Sequence, residues 1–166
     1  MHSEVFISLG SNLGNRKSAL SNALAELSKT LGEMHCMSGI YESDAWGYDG
    51  QPYLNQVAVF RSSKSPHEVL ECLMAVEDKL GRPNRQPYYE DRFIDLDLLF
   101  YDDLIVIMHD LIIPHPKLHD RRFVLVPLAE IAPHKVHPSV GKSAQELLDE
   151  CVDKAVIEKV ECATNT

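Results

Sequence analysis

The sequence predicts an α+β fold: a ferredoxin-like βαββαβ core, an antiparallel sheet with helices packed on it, plus C-terminal short helices and a strand. Two observations carry this. Apolar runs of strand length and segments of helical period follow one another as strand, helix, strand, strand, helix, strand up to about residue 101. The second helix also has a sharply marked start and stop. With 166 residues, no internal repeat and no linker, a single domain over 1–166 is expected, built on one good-sized core.

Val5 to Leu9 reads as a short buried strand ending in the tight turn Gly10-Ser11-Asn12-Leu13-Gly14. Leu20, Ala23, Leu24, Leu27 and Leu31 then repeat at the spacing of one helical face. A second strand is expected from about Met34 to Tyr41. The following loop, 42–52, holds the only tryptophan, Trp46, among the breakers Gly47, Gly50 and Pro52. Tyr53 to Phe60 forms the third strand, with Tyr53, Asn55, Val57 and Val59 on one face. Ser65-Pro66-His67-Glu68 opens the second helix: serine caps, proline suits the first helical position, and Glu68 completes a capping box. Its buried stripe is Val69, Leu73, Val76 and Leu80, and Gly81 ends it. Pro83 to Asp91 is a polar loop rich in arginine and tyrosine. An aspartate-bearing strand follows and turns at Asp102-Asp103. Beyond it, Pro114, Pro116, Pro127, Pro133 and Pro138 punctuate short elements. Ser143-x-x-Glu146 starts a small helix, and Val156 to Val160 reads as a closing strand.

Composition narrows the function. Hydrophobic residues make up 45% and charged residues 25%, as in ordinary soluble proteins. A net charge of −9 repels nucleic acid and anionic membrane, so neither is an expected partner. Small-molecule substrates and a monomeric state are expected instead. Five of the seven arginines (Arg82, Arg85, Arg92, Arg121, Arg122) nevertheless fall between residues 82 and 122, which suggests a local site for a small polyanion. Cys36, Cys72, Cys151 and Cys162 have no metal-like spacing and read as reduced thiols. There is no signal-peptide pattern and no apolar run long enough to cross a bilayer, so a cytoplasmic location is expected.

The chemistry is carried by Arg92-Phe-Ile-Asp95-Leu-Asp97-Leu-Leu-Phe100. Strand side chains alternate faces, so Asp95 and Asp97 project from the same face, roughly 6–7 Å apart. Two neighbouring carboxylates in an apolar run need a positive partner. Mg²⁺ suits them, since it is commonly held by one or two carboxylates plus substrate phosphates. Arg92 adds a cation fitted to phosphate oxygens. An edge strand with two solvated aspartates is the plainer alternative.

Other chemistries fit less well. Gly10 to Arg16 follows a strand but lacks the lysine–hydroxyl pair of a phosphate-binding P-loop, so it reads as a structural turn. His115 and His119 stand four apart, but Pro116 breaks the helical face a zinc pair would use. No Ser-His-Asp or Cys-His arrangement stands out. Trp46, Tyr53, Tyr88, Tyr89 and Phe123 border the loops around the aspartates. A flat heterocycle would stack between such rings, with Asn55 offering paired donor and acceptor groups.

Four collinear segments resemble one known family, the 6-hydroxymethyl-7,8-dihydropterin pyrophosphokinases of folate biosynthesis. They are FISLGSNLGNR, YLNQVAVF, RFIDLDLLF and IPHPKLHDRRFVLVPLAEIAP, spread over nearly the whole chain. The resemblance implies transfer of the terminal pyrophosphoryl unit of ATP to the hydroxymethyl oxygen of the pterin, releasing AMP. It implies two Mg²⁺ ions on Asp95 and Asp97, with Arg82 and Arg92 completing the catalytic set. Glu77, Arg82, Arg85, Arg92, Leu98, His115 and Arg121 match the ATP side. Ser43, Asp44, Trp46, Tyr53, Asn55 and Phe123 match the pterin side, with Tyr53 and Phe123 as the sandwich.

The chain departs from that family at three places. Tyr88-Tyr89-Glu90-Asp91 stands where the family has a basic residue and Trp-Gly-Pro before Arg92, in a loop expected to close over the reactants. Asn84 replaces an arginine, with Arg85 next to it as the substitute, and Ser43-Asp44-Ala45-Trp46 replaces a threonine-proline type sequence. Two other functions use the same features: a non-catalytic nucleotide- or pterin-binding module, and a Mg²⁺-dependent phosphohydrolase.

Overall fold

The computed structural model describes residues 1–81 and 91–160. The predicted loop Pro83 to Asp91, apart from Asp91, lies outside the described residues, as do Arg82 and Cys162.

Strand β1 (Ser3–Ser11) is buried from Val5 onward and is flanked on both edges. On one side it pairs antiparallel with β4 (Tyr53–Ser62), and on the other with β5 (Asp95–Tyr101). β2 (Gly32–Met37) and β3 (Ile40–Ser43) lie end to end along the far edge of β4, and β8 (Glu158–Val160) pairs with β3. The order β5-β1-β4-β3-β8, with β2 also on β4, is that of the predicted ferredoxin-like core extended by one strand.

The single strand expected over Met34 to Tyr41 is two strands, and Ser38 is the reason. Its N–H donates to Val57 O at 2.8 Å, while its hydroxyl accepts the Val57 N–H at 3.0 Å. A side-chain oxygen thus replaces a ladder carbonyl, and the backbone bends through Ser38-Gly39 without leaving Val57 unsatisfied.

Alternation along the three central strands separates two cores. Val5, Ile7 and Leu9 of β1, Leu54, Ala58 and Phe60 of β4, and Leu96 and Leu98 of β5 face helices α1 (Arg16–Thr30) and α2 (Pro66–Lys79). Phe6, Val57, Val59, Leu99 and Phe100 face α3 (Arg122–Ile131) and α4 (Ala144–Glu150) on the other side. Helices therefore cover both faces of the sheet.

Both early helices start at side-chain caps, and that of α2 is the one the sequence predicts. Asn15 Oδ1 accepts the Ser18 N–H, and Ser65 and Glu68 form both halves of the capping box. The ten-residue α3 was not anticipated, because Pro127 reads as punctuation. As the sixth residue of α3, Pro127 removes the one N–H that would reach the Phe123 carbonyl. Burial of Val124, Leu125, Pro127, Leu128 and Ala129 outweighs that loss.

Between β5 and α3, a hairpin of β6 (Val106–Ile107) and β7 (Ile112–Ile113) leads into a cis Ile113–Pro114 peptide. The His115 N–H then donates to Leu99 O at 3.0 Å, which fixes His115 beside β5.

Replacing Ser65 by Ala removes the α2 cap and is expected to lower stability by about 1 kcal/mol in urea unfolding. A change below a few tenths of that value would mean α2 is held by packing alone.

Candidate active site

The site floor follows from the registers. Asp95 lies across from Gly10 on β1, and Gly10 across from Asn55 on β4; Asp97 lies across from Ser8. With Leu96 and Leu98 turned to the α1/α2 core, Asp95 and Asp97 share the opposite face, as alternation requires. Gly10 keeps the floor open. A Cβ there would stand 3.3 Å from Tyr53 Cδ1 and 3.8 Å from Asn55 Oδ1.

Above this floor is a cavity of about 490 Å³, within the range of small-molecule sites. Leu70, Met74 and Glu77 of α2 border it, spaced as one helical face. Ser43 ends β3, and Asp44, Trp46 and Tyr48 follow it before β4. Asp110, His115 and Arg121 come from the region between β5 and α3, and Phe123 from the first turn of α3. Arg92 enters just ahead of β5.

Charge in the cavity is unevenly matched. Arg92 Nη1 donates to Asp95 Oδ1 at 2.9 Å in a close ion pair. Among the described residues, the arginine nearest Asp97 is Arg121, whose Nη1 lies 3.9 Å from its Oδ2. Burial, and next the Asp95 carboxylate, push Asp97 up to about 7; Glu77 adds to this, against the pull of Arg121 and Arg92. Burial first, then Arg121 and Lys117, drive His115 down to about 4 against the pull of Asp95, so its imidazole is neutral at pH 7. His115 Nδ1 accepts the Lys117 N–H at 3.1 Å, which leaves the ring proton on Nε2. That nitrogen lies 3.8 Å from Asp97 Oδ1.

Arg121 is 11% exposed, with its guanidinium carbon 4.9 Å from the Trp46 ring centroid and 5.6 Å from that of Phe123. Its Nε is buried with no hydrogen-bond acceptor among the described residues.

Asn55 is held by its amide nitrogen, which donates to Ser43 Oγ at 2.8 Å and Tyr41 O at 3.2 Å. Its carbonyl oxygen is thereby turned toward the space over Gly10. The Tyr53 hydroxyl meets the Tyr48 hydroxyl at 3.0 Å. Burial, chiefly, holds the Tyr53 phenol far above its ordinary range and raises Tyr48 as well, so both stay protonated.

Of the residues predicted from sequence, Ser43, Asp44, Trp46, Tyr53, Asn55, Glu77, Arg92, Asp95, Asp97, His115, Arg121 and Phe123 all line this one cavity. Leu98 does not: its side chain packs in the α1/α2 core, so a ligand would meet only its backbone. Arg82 and Arg85 lie outside the described residues. Ser8, Gly10, Tyr48, Leu70, Met74 and Asp110 also line the cavity and were not anticipated. A helical projection through Glu77 finds Met74 and Leu70, whereas Ser8 and Gly10 emerge only from cross-strand register.

Asn12 was also missed. It is buried and joins three segments: its N–H donates to Arg92 O, its Oδ1 accepts the Arg92 N–H, and its Nδ2 reaches Gln51 O at 2.9 Å. The turn after β1 therefore holds the chain at the start of β5.

A family model described as 7,8-dihydro-6-hydroxymethylpterin-pyrophosphokinase matches residues 6–133. A 2-amino-4-hydroxy-6-hydroxymethyldihydropteridine pyrophosphokinase of Synechocystis sp. is 42% identical over 145 residues, covering 87% of this chain and 74% of its own length. Its counterpart in Aquifex aeolicus is 38% identical over 147 residues, covering 88% and 91%. A folic acid synthesis protein of Pneumocystis carinii is 38% identical over 153 residues, which are 90% of this chain and 20% of that one. Among solved structures, the wild-type HPPK-DHPS of Plasmodium falciparum superposes with a TM-score of 0.74 at 14% identity, over 90% of this chain. The matched part is 45% of that longer chain, and the likeness supports the fold alone. By sequence, the chain belongs to the 7,8-dihydro-6-hydroxymethylpterin-pyrophosphokinase family.

Proposed function

We propose that this chain transfers the pyrophosphoryl group of ATP to 6-hydroxymethyl-7,8-dihydropterin in folate biosynthesis, working in the cytoplasm as a Mg²⁺-dependent enzyme. The observation that carries the reading is the pairing, in one cavity, of the Asp95–Asp97 carboxylate floor with the ring-and-amide set of Tyr53, Phe123 and Asn55. Relatives named as this pyrophosphokinase match most of the chain.

The donor set fits Mg²⁺. Both carboxylates offer hard oxygens, and a carboxyl pushed up to about 7 by burial and a neighbouring carboxylate is stabilised by an added cation. Asp95 and Asp97 are the residues that would hold it; among the described residues no cluster of three or more His, Cys, Asp and Glu side chains forms a metal cage. When bound, Mg²⁺ neutralises phosphate charge and aligns the β-phosphorus with its attacker.

The residues themselves supply position and charge. Arg92 and Arg121 bring fixed cations to the phosphate side, and the neutral His115 offers its Nε2–H as a donor there. Asn55 orients the polar edge of the heterocycle while Tyr53 and Phe123 hold its faces. The hydroxymethyl oxygen bonds to the β-phosphorus, the bond from that phosphorus to the α-phosphate oxygen breaks, AMP leaves with the electron pair, and the hydroxyl proton passes to water. Positioning and charge neutralisation suffice for this chemistry without a covalent nucleophile.

Nucleotide product analysis tests the reading, with ATP and Mg²⁺, with and without the pterin. AMP formed only with pterin, matched by a pterin diphosphate, is the expected result. ATP cleavage without pterin would indicate a hydrolase, and two-ligand binding without AMP a binding module. In the same assay Asp97→Ala is expected to lower turnover about 100-fold or more, the scale of losing one preorganised electrostatic contact.

A second prediction concerns pH. Asp97 is protonated in both states below about pH 4 and ionised in both above about pH 7. Its raised folded value means that ionisation opposes folding, so the metal-free protein loses stability as pH rises from about 4 to about 7. Urea unfolding should show this slope reduced in Asp97→Asn and offset by millimolar Mg²⁺ at pH 7.5. An unchanged slope in the variant would remove Asp97 as its source.

A further inference from the structure

Asp91 is the first described residue after the polar loop, and its placement assigns it a role. One oxygen, Oδ1, accepts from three donors: Asn12 Nδ2 at 2.7 Å, the Tyr48 hydroxyl at 3.2 Å and the Gln51 N–H at 3.2 Å. These donors come from the turn after β1 and from the segment between β3 and β4. Asp91 itself immediately precedes Arg92. Rather than facing the phosphate side as a repelling charge, its carboxylate ties the β3–β4 segment to the start of β5.

The hydrogen-bond direction follows from elementary bookkeeping. A carboxylate only accepts, and a tyrosine has one hydroxyl proton. The two Asn12 Nδ2 protons go to its shorter contacts, Asp91 Oδ1 and Gln51 O, and with the Tyr48 proton given to Asp91 the Tyr48 oxygen accepts from the Tyr53 hydroxyl at 3.0 Å. The chain Tyr53 to Tyr48 to Asp91 is therefore proton-ordered and ends on a charge, which strengthens it. Tyr53 stands beside Gly10 and lines the cavity next to Asn55.

We propose that Asp91 is a positioning residue for the flat heterocycle: through Tyr48 it sets the orientation of the Tyr53 ring, and so governs affinity for the pterin without touching it. This rests on the pterin reading given above. It also predicts selectivity between ligands, because the Arg92 guanidinium, on the phosphate side, is held by Asp95 and not by Asp91 or its partners.

The test is a set of variants: Asp91→Ala, Asp91→Asn, Tyr48→Phe and the double Asp91→Ala/Tyr48→Phe. For each, affinity for 6-hydroxymethyl-7,8-dihydropterin is read from Trp46 fluorescence, with Mg²⁺ and α,β-methylene-ATP present. Affinity for the nucleotide alone and the unfolding temperature are measured in parallel. Asp91→Ala and Tyr48→Phe should each weaken the pterin about tenfold and change nucleotide affinity less than twofold. The double variant should be within twofold of the weaker single, since both act through one chain. Asp91→Asn, which keeps an acceptor oxygen, should recover most of the affinity.

Pterin affinity within twofold of wild type in both single variants would overturn the proposal. Equal loss of both ligands with a lowered unfolding temperature would do the same, as would additive effects in the double variant. A wild-type chain that binds nucleotide but no pterin would overturn the functional reading together with this one, which separates the two failures. Tyr48→Phe and Asp91→Asn keep the test decisive where Asp91→Ala does not fold.

Discussion

A strand cannot bury Leu96 and Leu98 against α1 and α2 without turning Asp95 and Asp97 to the opposite face. Burial of each leucine contributes about 1.5–3 kcal/mol, enough to fix the register of β5 against β1. A slip by one residue would drive both carboxylates into the apolar core, a placement costing several kcal/mol. The same logic governs β4, where Leu54 goes under the sheet and Tyr53 and Asn55 go above it. Hydrophobic burial on one face thus assembles the polar site on the other.

The consequence is an electrostatic imbalance. Arg92 pairs closely with Asp95, but Arg121 and His115 stand farther from Asp97, and the imidazole is uncharged. Glu77, nearby and buried on α2, adds negative charge while its Oε2 accepts the Leu96 N–H of β5 at 3.0 Å. Meanwhile Arg121 keeps a buried Nε donor without an acceptor among the described residues. Among the described residues, then, two carboxylates and a neutral imidazole face one close arginine and one more distant arginine across a single cavity.

Local signals made much of this legible in the sequence. The Ser65–Glu68 box, the leucine period of α1 and the alternation in Tyr53–Phe60 each report one element without tertiary information. Asp95 and Asp97 were legible as a pair because two residues along a strand return to the same face. What escaped depended on long-range contacts. α3 contains a proline whose cost is outweighed only by burial against the second core. The break at Ser38 depends on a hydroxyl reaching across to Val57. Asn12 and Asp91 are polar residues in turns, and nothing local distinguishes them from solvated ones. Their roles come from partners as many as 80 residues away in sequence.

The central claim is that Asp95 and Asp97 form the metal-holding floor of a site that also takes a pterin. It is tested most directly by a crystal structure of the chain with Mg²⁺, α,β-methylene-ATP and 6-hydroxymethylpterin. The account predicts carboxylate oxygens of both aspartates about 2.1 Å from Mg²⁺ that also contacts the phosphates. It also predicts the heterocycle between Tyr53 and Phe123, with Asn55 at its polar edge. Metal bound elsewhere, with Asp97 turned to Arg121 and the heterocycle outside the Tyr53–Phe123 space, would contradict it.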